Sequence, residues 1–238
     1  MFPITDWERL KVLRQGAETN KPAVIGELFA RYRGPILAFL RRRGYSTERA
    51  EDLVQDFFLY CLDERVFEKA DPERGRFRNL MLRALTFFAA KQHRHDTAQM
   101  RAPDGGFTSI ESGGGDGEPL QVPADSATPE AEFTRAWAES LITRVLTTLR
   151  EKMQGDGHAA HFDIFLHRMI EPALSGAVPP SQAELARKHG ITEKEVSNRL
   201  VTAKRAYQRR LRAEIATYAR SEDEIEDEIR ELFQALAA

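Results

Sequence analysis

The chain has 238 residues, of which 42% are hydrophobic and 30% charged, and its formal net charge is −2. This composition is typical of a folded protein of one or two domains and excludes wholesale disorder. A lone cysteine, Cys61, excludes an internal disulfide framework, and no apolar run approaches the roughly 20 residues that a membrane helix needs. We therefore expect a cytoplasmic protein without membrane insertion.

The first hundred residues predict a helical domain, residues 1–100. Apolar residues recur at helical spacing across Ala23 to Arg42, and Ser46 or Thr47 begins a second helix rich in acids. The apolar stripe of this second helix faces inward, which leaves four side chains on its outer face: Asp52, Gln55, Asp56 and Leu59.

A turn at Asp71-Pro72 precedes a basic third helix, about Phe77 to His95. Six cations surround the apolar face of this helix: Arg74, Arg76, Arg78, Arg83, Lys91 and Arg94. A basic helix with aromatic residues suits single-stranded nucleic acid, because bases stack on rings and phosphates pair with arginine. We expect most of these aromatic side chains to lie in the core.

Residues 101–128 are rich in Gly, Pro, Ser and acids, which predicts a flexible acidic linker. Thr128-Pro129 then predicts a helix start and opens a second helical domain, residues 129–220. Apolar residues spaced four apart from Phe133 to Met153 indicate a long helix. A following helix is expected to end at Pro172.

Residues 181–212 predict two helices joined by a tight turn. Ser181 with Glu184, and Thr192 with Glu195, match the capping-box pattern, and Gly190 suits the left-handed end of the first helix. Two capped helices around one short turn form a helix-turn-helix. The side chains left facing outward on its second helix are Lys194, Ser197, Asn198, Val201, Thr202 and Arg205.

Basic charge is concentrated in this segment, where nine Lys and Arg oppose three Glu, an excess of six positive charges. Such charge favours DNA phosphates, and Ser, Asn, Thr and Arg can contact base edges. The alternative is a helical hairpin with a solvated basic face. Residues 221–238 carry the opposite excess, seven acids against Arg230, on an amphipathic helix. Two hypotheses stay open for this tail: it docks and tempers DNA binding, or it completes the core of the second domain.

Catalysis is not expected from this sequence, and no catalytic residue, metal site or cofactor is predicted. His93 with His95, and His158 with His161, lack the cysteine or carboxylate neighbours of metal sites. No nucleotide-binding or metalloprotease motif is present, and Cys61 lies on an apolar helix face.

Taken together, AEDLVQDFFL (residues 50–59), DPERGRFRNLMLRALTFF (residues 71–88), the linker and the helix-turn-helix resemble bacterial sigma factors of the extracytoplasmic-function type. The resemblance spans about Ala23 to Arg212 and implies two helical domains, sigma-2-like and sigma-4-like. It departs from the family's common pattern at Ala84-Leu85-Thr86 and Ala90, in the helix that would recognise the minus-ten element.

The resemblance implies a role for each surface. Asp52, Gln55, Asp56 and Leu59 would bind the beta-prime clamp of core RNA polymerase, and the third helix with its six cations would open and recognise the minus-ten element. The outward side chains of the second helix of the helix-turn-helix would recognise the minus-thirty-five element. The cations implied to contact DNA around them are Arg187, Lys188, Arg199 and Lys204.

The implied partners are core RNA polymerase, including its beta flap, and promoter DNA, with an anti-sigma factor or a regulatory kinase as a further kind of partner. Two alternatives of other classes remain open. An ordinary helix-turn-helix regulator would bind DNA without polymerase, and an anti-sigma factor or adaptor would not direct transcription itself.

Overall fold

The computed structural model describes residues 21–71, 75–101, 127–219 and 221–237. Within these ranges the chain is all-helical, as the sequence predicts, and contains no strand. Arg74 and residues 102–126, most of the predicted linker, lie outside the described residues. None of the helices in the described ranges is long and apolar enough to cross a membrane.

The chain divides into two compact units. One comprises Met1–Ala138 with Leu232–Ala238, and the other comprises Glu139–Glu231. Both boundaries fall within helices, so the first unit includes the first turns of the helix that follows the predicted linker.

The first unit contains α1 (Lys21–Arg42), α2 (Thr47–Asp63), a 3₁₀ turn (Phe67–Lys69) and α3 (Phe77–Arg101). Helix α1 continues through Pro35, which is buried. At the start of α2, the Ser46 side chain accepts a hydrogen bond from the Arg49 backbone N–H at 3.2 Å, the N-cap that the sequence indicates. Acidic Glu48 lies in the first turn of α2, where it favours the helix dipole.

The core of the first unit is aromatic. The rings of Phe57 and Phe88 lie 5.5 Å apart, those of Tyr32 and Phe77 lie 5.6 Å apart, and α1 and α3 both pack against α2. Such tilted and edge-on pairs are the favoured geometries of aromatic side chains. The fully buried residues around them include Ile36, Phe39, Leu40, Leu53, Cys61, Met81 and Leu85.

The long helix α4 (Pro129–Gly155) begins where the sequence predicts, with the Thr128 hydroxyl accepting a bond from the Ala131 N–H at 3.1 Å. It is followed by α5 (Ala159–Phe165), a π-helical turn (Leu166–Ile170) and α6 (Glu171–Ser175). The expectation that Pro172 ends its helix is wrong. Pro172 lies in the first turn of α6, directly after the π-helical turn, and the helix ends at Gly176 with φ 68°.

The helix-turn-helix consists of α7 (Gln182–His189) and α8 (Glu193–Ile215), and α9 (Glu222–Ala237) completes the described chain. Both α5 and α7 pack against α8. A buried apolar cluster joins the three helices: Ile164, Leu185, Ala186 and Val196, with Ile191 and Leu200 packed beside it. Because α7 has only eight residues, this cluster holds the helix in place more than its own backbone bonds do.

Candidate nucleic-acid and partner interfaces

Both capping boxes of the helix-turn-helix are formed. Ser181 Oγ accepts from the Glu184 N–H at 3.2 Å, and the Ser181 N–H donates to Glu184 Oε2 at 2.7 Å. Thr192 and Glu195 make the same reciprocal pair at 3.2 and 2.8 Å. Gly190 adopts φ 63° in the turn between them, a conformation that glycine accepts most easily. The geometry of this turn therefore follows from residues that are close in sequence.

The first half of α8 presents what we term the readout face. Its residues are Lys194, Ser197, Asn198, Val201, Thr202 and Arg205, all exposed except the half-buried Ser197. Val201 is 47% exposed, and the Thr202 hydroxyl donates to the Asn198 carbonyl at 3.0 Å. Asn198 and Arg205 thus offer free hydrogen-bonding side chains, while Val201 and the Thr202 methyl offer apolar contact to a thymine methyl group.

The predicted phosphate contacts around the readout face differ in environment. Arg187 and Lys204 are exposed, and Arg199 is half-buried. Lys188 Nζ instead donates to Asp163 Oδ2 at 2.8 Å. Farther along α8, Arg212 is paired with both Glu222 and Glu226 of α9. Exposed cations remain available to phosphate, whereas Lys188 and Arg212 already have internal partners.

Helix α3 carries an exposed stripe with a spacing of three to four residues, which we term the α3 stripe: Asn79, Arg83, Phe87, Lys91 and Arg94. Phe87 is 57% exposed, whereas Phe77 and Phe88 are buried. Most aromatic residues of this helix are predicted to lie in the core, and Phe87 is not among the predicted site residues. Adjacency to Phe88 does not indicate this exposure, because consecutive helical residues can both be buried, as Phe57 and Phe58 are in α2. The signal that could have found Phe87 is its spacing of four residues from both Arg83 and Lys91, which places it on the cationic face of the helix.

The other cations predicted on α3 lie elsewhere. Arg76 is half-buried and lines a cleft of about 250 Å³ at the start of the helix, with Lys69, Asn79 and Arg83. Arg78 is only 8% exposed, and its guanidinium lies 4.1 Å from the centroid of the Trp137 ring. That distance is typical of a cation–π contact. Arg78 therefore stabilises the packing of the first unit.

The outer face of α2 carries what we term the α2 patch: Asp52, Gln55, Asp56 and Leu59. All four side chains are exposed, and Leu59 has 59% of its surface in solvent. A shallow cleft of about 250 Å³ beside it is lined by Asp56, Leu59, Tyr60 and Lys91, among others. An apolar side chain bordered by acids and an amide is typical of a protein-binding surface with charge specificity.

Cys61 is buried beneath the α2 patch, and burial raises the pKa of its thiol to about 12. The thiol is therefore protonated at neutral pH and is not a nucleophile there. Among the described residues, no group of three or more His, Cys, Asp or Glu side chains is arranged to hold a metal ion.

Comparison with models of known protein families found no match to this chain, and comparisons with curated proteins and with solved structures found none either.

Proposed function

We propose that this chain is a sigma factor of the extracytoplasmic-function type, which binds core RNA polymerase and directs promoter recognition and DNA opening. The observation that carries the proposal is the presence of three different exposed surfaces in one chain. These are the α2 patch, the α3 stripe and the readout face of α8. A protein that only binds duplex DNA needs the third surface alone.

In this proposal the α2 patch binds the clamp of the polymerase beta-prime subunit. Leu59 supplies an apolar anchor, and Asp52, Gln55 and Asp56 around it select a basic, hydrogen-bonding partner. The patch lies on a helix whose opposite face is fully buried at Leu53, Val54 and Phe57, so it is presented on a rigid support.

The α3 stripe then contacts the opened strand near the minus-ten element. Arg83, Lys91 and Arg94 supply charge for phosphates, and the exposed ring of Phe87 lies between them along the helix. Single-stranded nucleic acid is bound by this combination of stacking and charge. Duplex DNA offers its bases only by their edges, so the exposed ring favours melted DNA.

The readout face binds duplex DNA at the minus-thirty-five element, with α8 in the major groove. Asn198 is suited to adenine and Arg205 to guanine, while Arg187, Arg199 and Lys204 suit phosphates. Four uncharged side chains in a readout face of six imply weak binding by this unit alone. We therefore expect tight promoter binding only when polymerase holds the other surfaces. In this proposal the chemistry of RNA synthesis belongs to the core enzyme.

The proposal is tested by run-off transcription with purified core polymerase, coupled to selection of promoter sequences from a random DNA pool. We expect transcripts that start at one position and depend on the added chain, with enriched sequence in two separate blocks. Absence of start-specific transcripts with every selected template would contradict the proposal.

The α2 patch gives a sharper prediction. Gln55→Ala combined with Asp56→Ala should reduce core binding at least tenfold, because two exposed polar contacts around Leu59 are lost, with an unchanged unfolding midpoint. Gln154→Ala combined with Asp156→Ala removes the same residue types from an exposed site in the other unit and should leave core binding unchanged. Equal binding by the two double variants in a pull-down would refute the assignment of the patch.

A second candidate is a helix-turn-helix regulator that acts without polymerase. The completed capping boxes and the exposed readout face favour it equally. It predicts specific duplex binding by the free chain and no retention on core polymerase, so the same pull-down separates the two. An anti-sigma factor or adaptor would bind polymerase components without supporting transcription in the purified system.

A further inference from the structure

The carboxylate of Asp163, on α5, contacts the last two residues of α7. Asp163 Oδ2 accepts a hydrogen bond from Lys188 Nζ at 2.8 Å and lies 2.9 Å from His189 Nε2. His167 Nδ1 donates to the Asp163 backbone carbonyl at 2.9 Å, and Lys188 Nζ lies 3.5 Å from His167 Nε2. We term Asp163, His167, Lys188 and His189 the Asp163 cluster.

The Asp163 cluster is partly sheltered from solvent, although the Lys188 side chain is 49% exposed. The side chain of His189 is only 14% exposed, and that of Asp163 is 34% exposed. Burial raises the pKa of Asp163, but the Lys188 hydrogen bond and the charges of His167, Lys188 and His189 outweigh it and hold the pKa below 3.8. Asp163 is therefore ionised at neutral pH.

The Asp163 cluster lies where the C-terminal end of α7 meets α5. Lys188 and His189 are the last residues of α7, where cations also favour the helix dipole. Asp163 immediately precedes Ile164, which belongs to the apolar cluster beneath the helix-turn-helix. The Asp163 contacts thus join α7 to α5 at the point where α7 ends and the turn towards the readout face begins.

We propose that Asp163 is a positioning residue that seats α7 on α5, and that Lys188 acts through Asp163 instead of contacting a DNA phosphate. The proposal deepens the proposed function and rests on it, because it concerns how the same helix-turn-helix is held for duplex DNA. The family resemblance implies the same role for Lys188 and its neighbour Arg187. In the structure both are exposed, but Lys188 is paired with Asp163, whereas the Arg187 Nε donates to the Ala183 backbone carbonyl at 3.4 Å.

Salt dependence separates a phosphate contact from a positioning contact. Each phosphate contact contributes about 0.9 to the slope of log affinity against log salt concentration. The test measures binding of the full-length chain to a random duplex of about 30 base pairs over a salt series. We expect Arg187→Gln to make the slope less steep by about 0.9. Lys188→Gln should weaken binding about two- to fivefold and leave the slope unchanged.

A double-mutant cycle tests the coupling. In an Asp163→Asn background, Lys188→Gln should cause no further loss of DNA affinity, because its partner has already been removed. Asp163→Glu keeps the charge and should recover part of the loss that Asp163→Asn causes. If Lys188→Gln lowers the salt slope as much as Arg187→Gln does, and does so equally in both backgrounds, the proposal is overturned.

Urea unfolding of the wild type, Asp163→Asn, Lys188→Gln and the double variant keeps the test independent of DNA. We expect Asp163 and Lys188 to be coupled. The double variant should then change the unfolding equilibrium constant by a smaller factor than the product of the factors for the two single variants. Independent effects of the two changes would overturn the Asp163–Lys188 coupling even if the protein binds DNA. Conversely, coupling in unfolding with no duplex binding by any variant would uphold the Asp163–Lys188 contact and reject both the DNA-binding function and a positioning role for it.

Discussion

Phe87 and Phe88 are neighbours in the chain with opposite environments. Phe88 is buried, with its ring 5.5 Å from those of both Phe57 and Tyr60, whereas Phe87 is 57% exposed. Consecutive residues of an α-helix point about 100° apart, and here the apolar face of α3 includes Phe88 and leaves Phe87 in line with Arg83 and Lys91, four residues to either side. An exposed phenyl ring in a cationic stripe is costly to leave in water and is well suited to stacking on an unpaired base.

Replacing Phe87 should therefore affect nucleic acid and not the fold. We expect Phe87→Ala to weaken binding of a single-stranded oligonucleotide by about 1–3 kcal/mol, with little change in the unfolding midpoint, and Phe87→Trp to retain binding. Phe88→Ala is the matched control and should destabilise the protein by about 3–5 kcal/mol. Fluorescence anisotropy and thermal unfolding measure the two effects. Unchanged oligonucleotide affinity for Phe87→Ala would exclude stacking.

Arg78 provides a second test at this scale, because its guanidinium lies over Trp137. In a double-mutant cycle of unfolding free energy, Arg78→Met and Trp137→Leu should be coupled by about 0.5–2 kcal/mol. Arg83→Met, on the exposed face of the same helix, should change stability by less than about 0.5 kcal/mol. An additive cycle would show that the contact does not stabilise the fold and would return Arg78 to the candidate DNA contacts.

Among the elements, the helix-turn-helix is the one whose local geometry could be predicted most fully. Its caps and turn depend on residues three or four apart, Ser181 with Glu184 and Thr192 with Glu195, and on Gly190. The π-helical turn at Leu166–Ile170 could not be predicted in this way. No capping pattern or apolar spacing in the sequence marks it, and it leads directly into the first turn of α6, where Pro172 lies.

The capping boxes make stability depend on pH. Backbone and side-chain hydrogen bonds from Ser181 and Thr192 lower the pKa of Glu184 and Glu195, whose ordinary value is 4.5. An acid with a lowered folded-state pKa stabilises the protein above its unfolded pKa, and this stabilisation is lost as pH falls through the folded-state value. The unfolding midpoint should therefore fall as the solution is acidified below about pH 4.5.

Glu184→Gln with Glu195→Gln should flatten this acid dependence, because the two groups no longer titrate. Glu193→Gln removes an exposed acid from the same turn that belongs to no capping box and should leave the profile nearly unchanged. Thr192→Ala should cost about 1 kcal/mol at neutral pH. Thermal unfolding across the acid range measures these effects, and identical profiles for wild type and the double Gln variant would contradict the assignment.

At the scale of the whole molecule, the net charge is only −2, although the basic helix α8 is followed by the acidic helix α9. Helix α9 is docked on the chain itself, because Ile225 and Leu232 are buried and Arg212 is paired with Glu222 and Glu226. The readout face remains exposed with α9 in place. Helix α9 can therefore affect DNA binding through Arg212 and through long-range charge without covering that face.

Removing the two acids that hold Arg212 should strengthen DNA binding. We expect Glu222→Gln with Glu226→Gln to increase duplex affinity and to steepen the salt slope by about 0.9, because Arg212 becomes free to contact a phosphate. Asp223→Asn with Glu151→Gln changes net charge equally at two exposed acids that pair with neither Arg212 nor Arg230, and it should leave the slope unchanged. Equal slopes for both double variants would limit α9 to a structural role.

The sequence alone determined what depends on near neighbours: the helical class, both capping boxes, the Gly190 turn, and the outer faces of α2 and α8. Helix periodicity and capping act over three or four residues, so spacing reveals them. Tertiary structure alone decided which cations are free. Lys188 donates a hydrogen bond to Asp163, 25 residues earlier in the chain. Arg78 lies over the Trp137 ring, and Arg212 is paired with an acid of α9. The sequence gives the sign of each charge, but the partner of a charged side chain depends on which distant helices pack beside it.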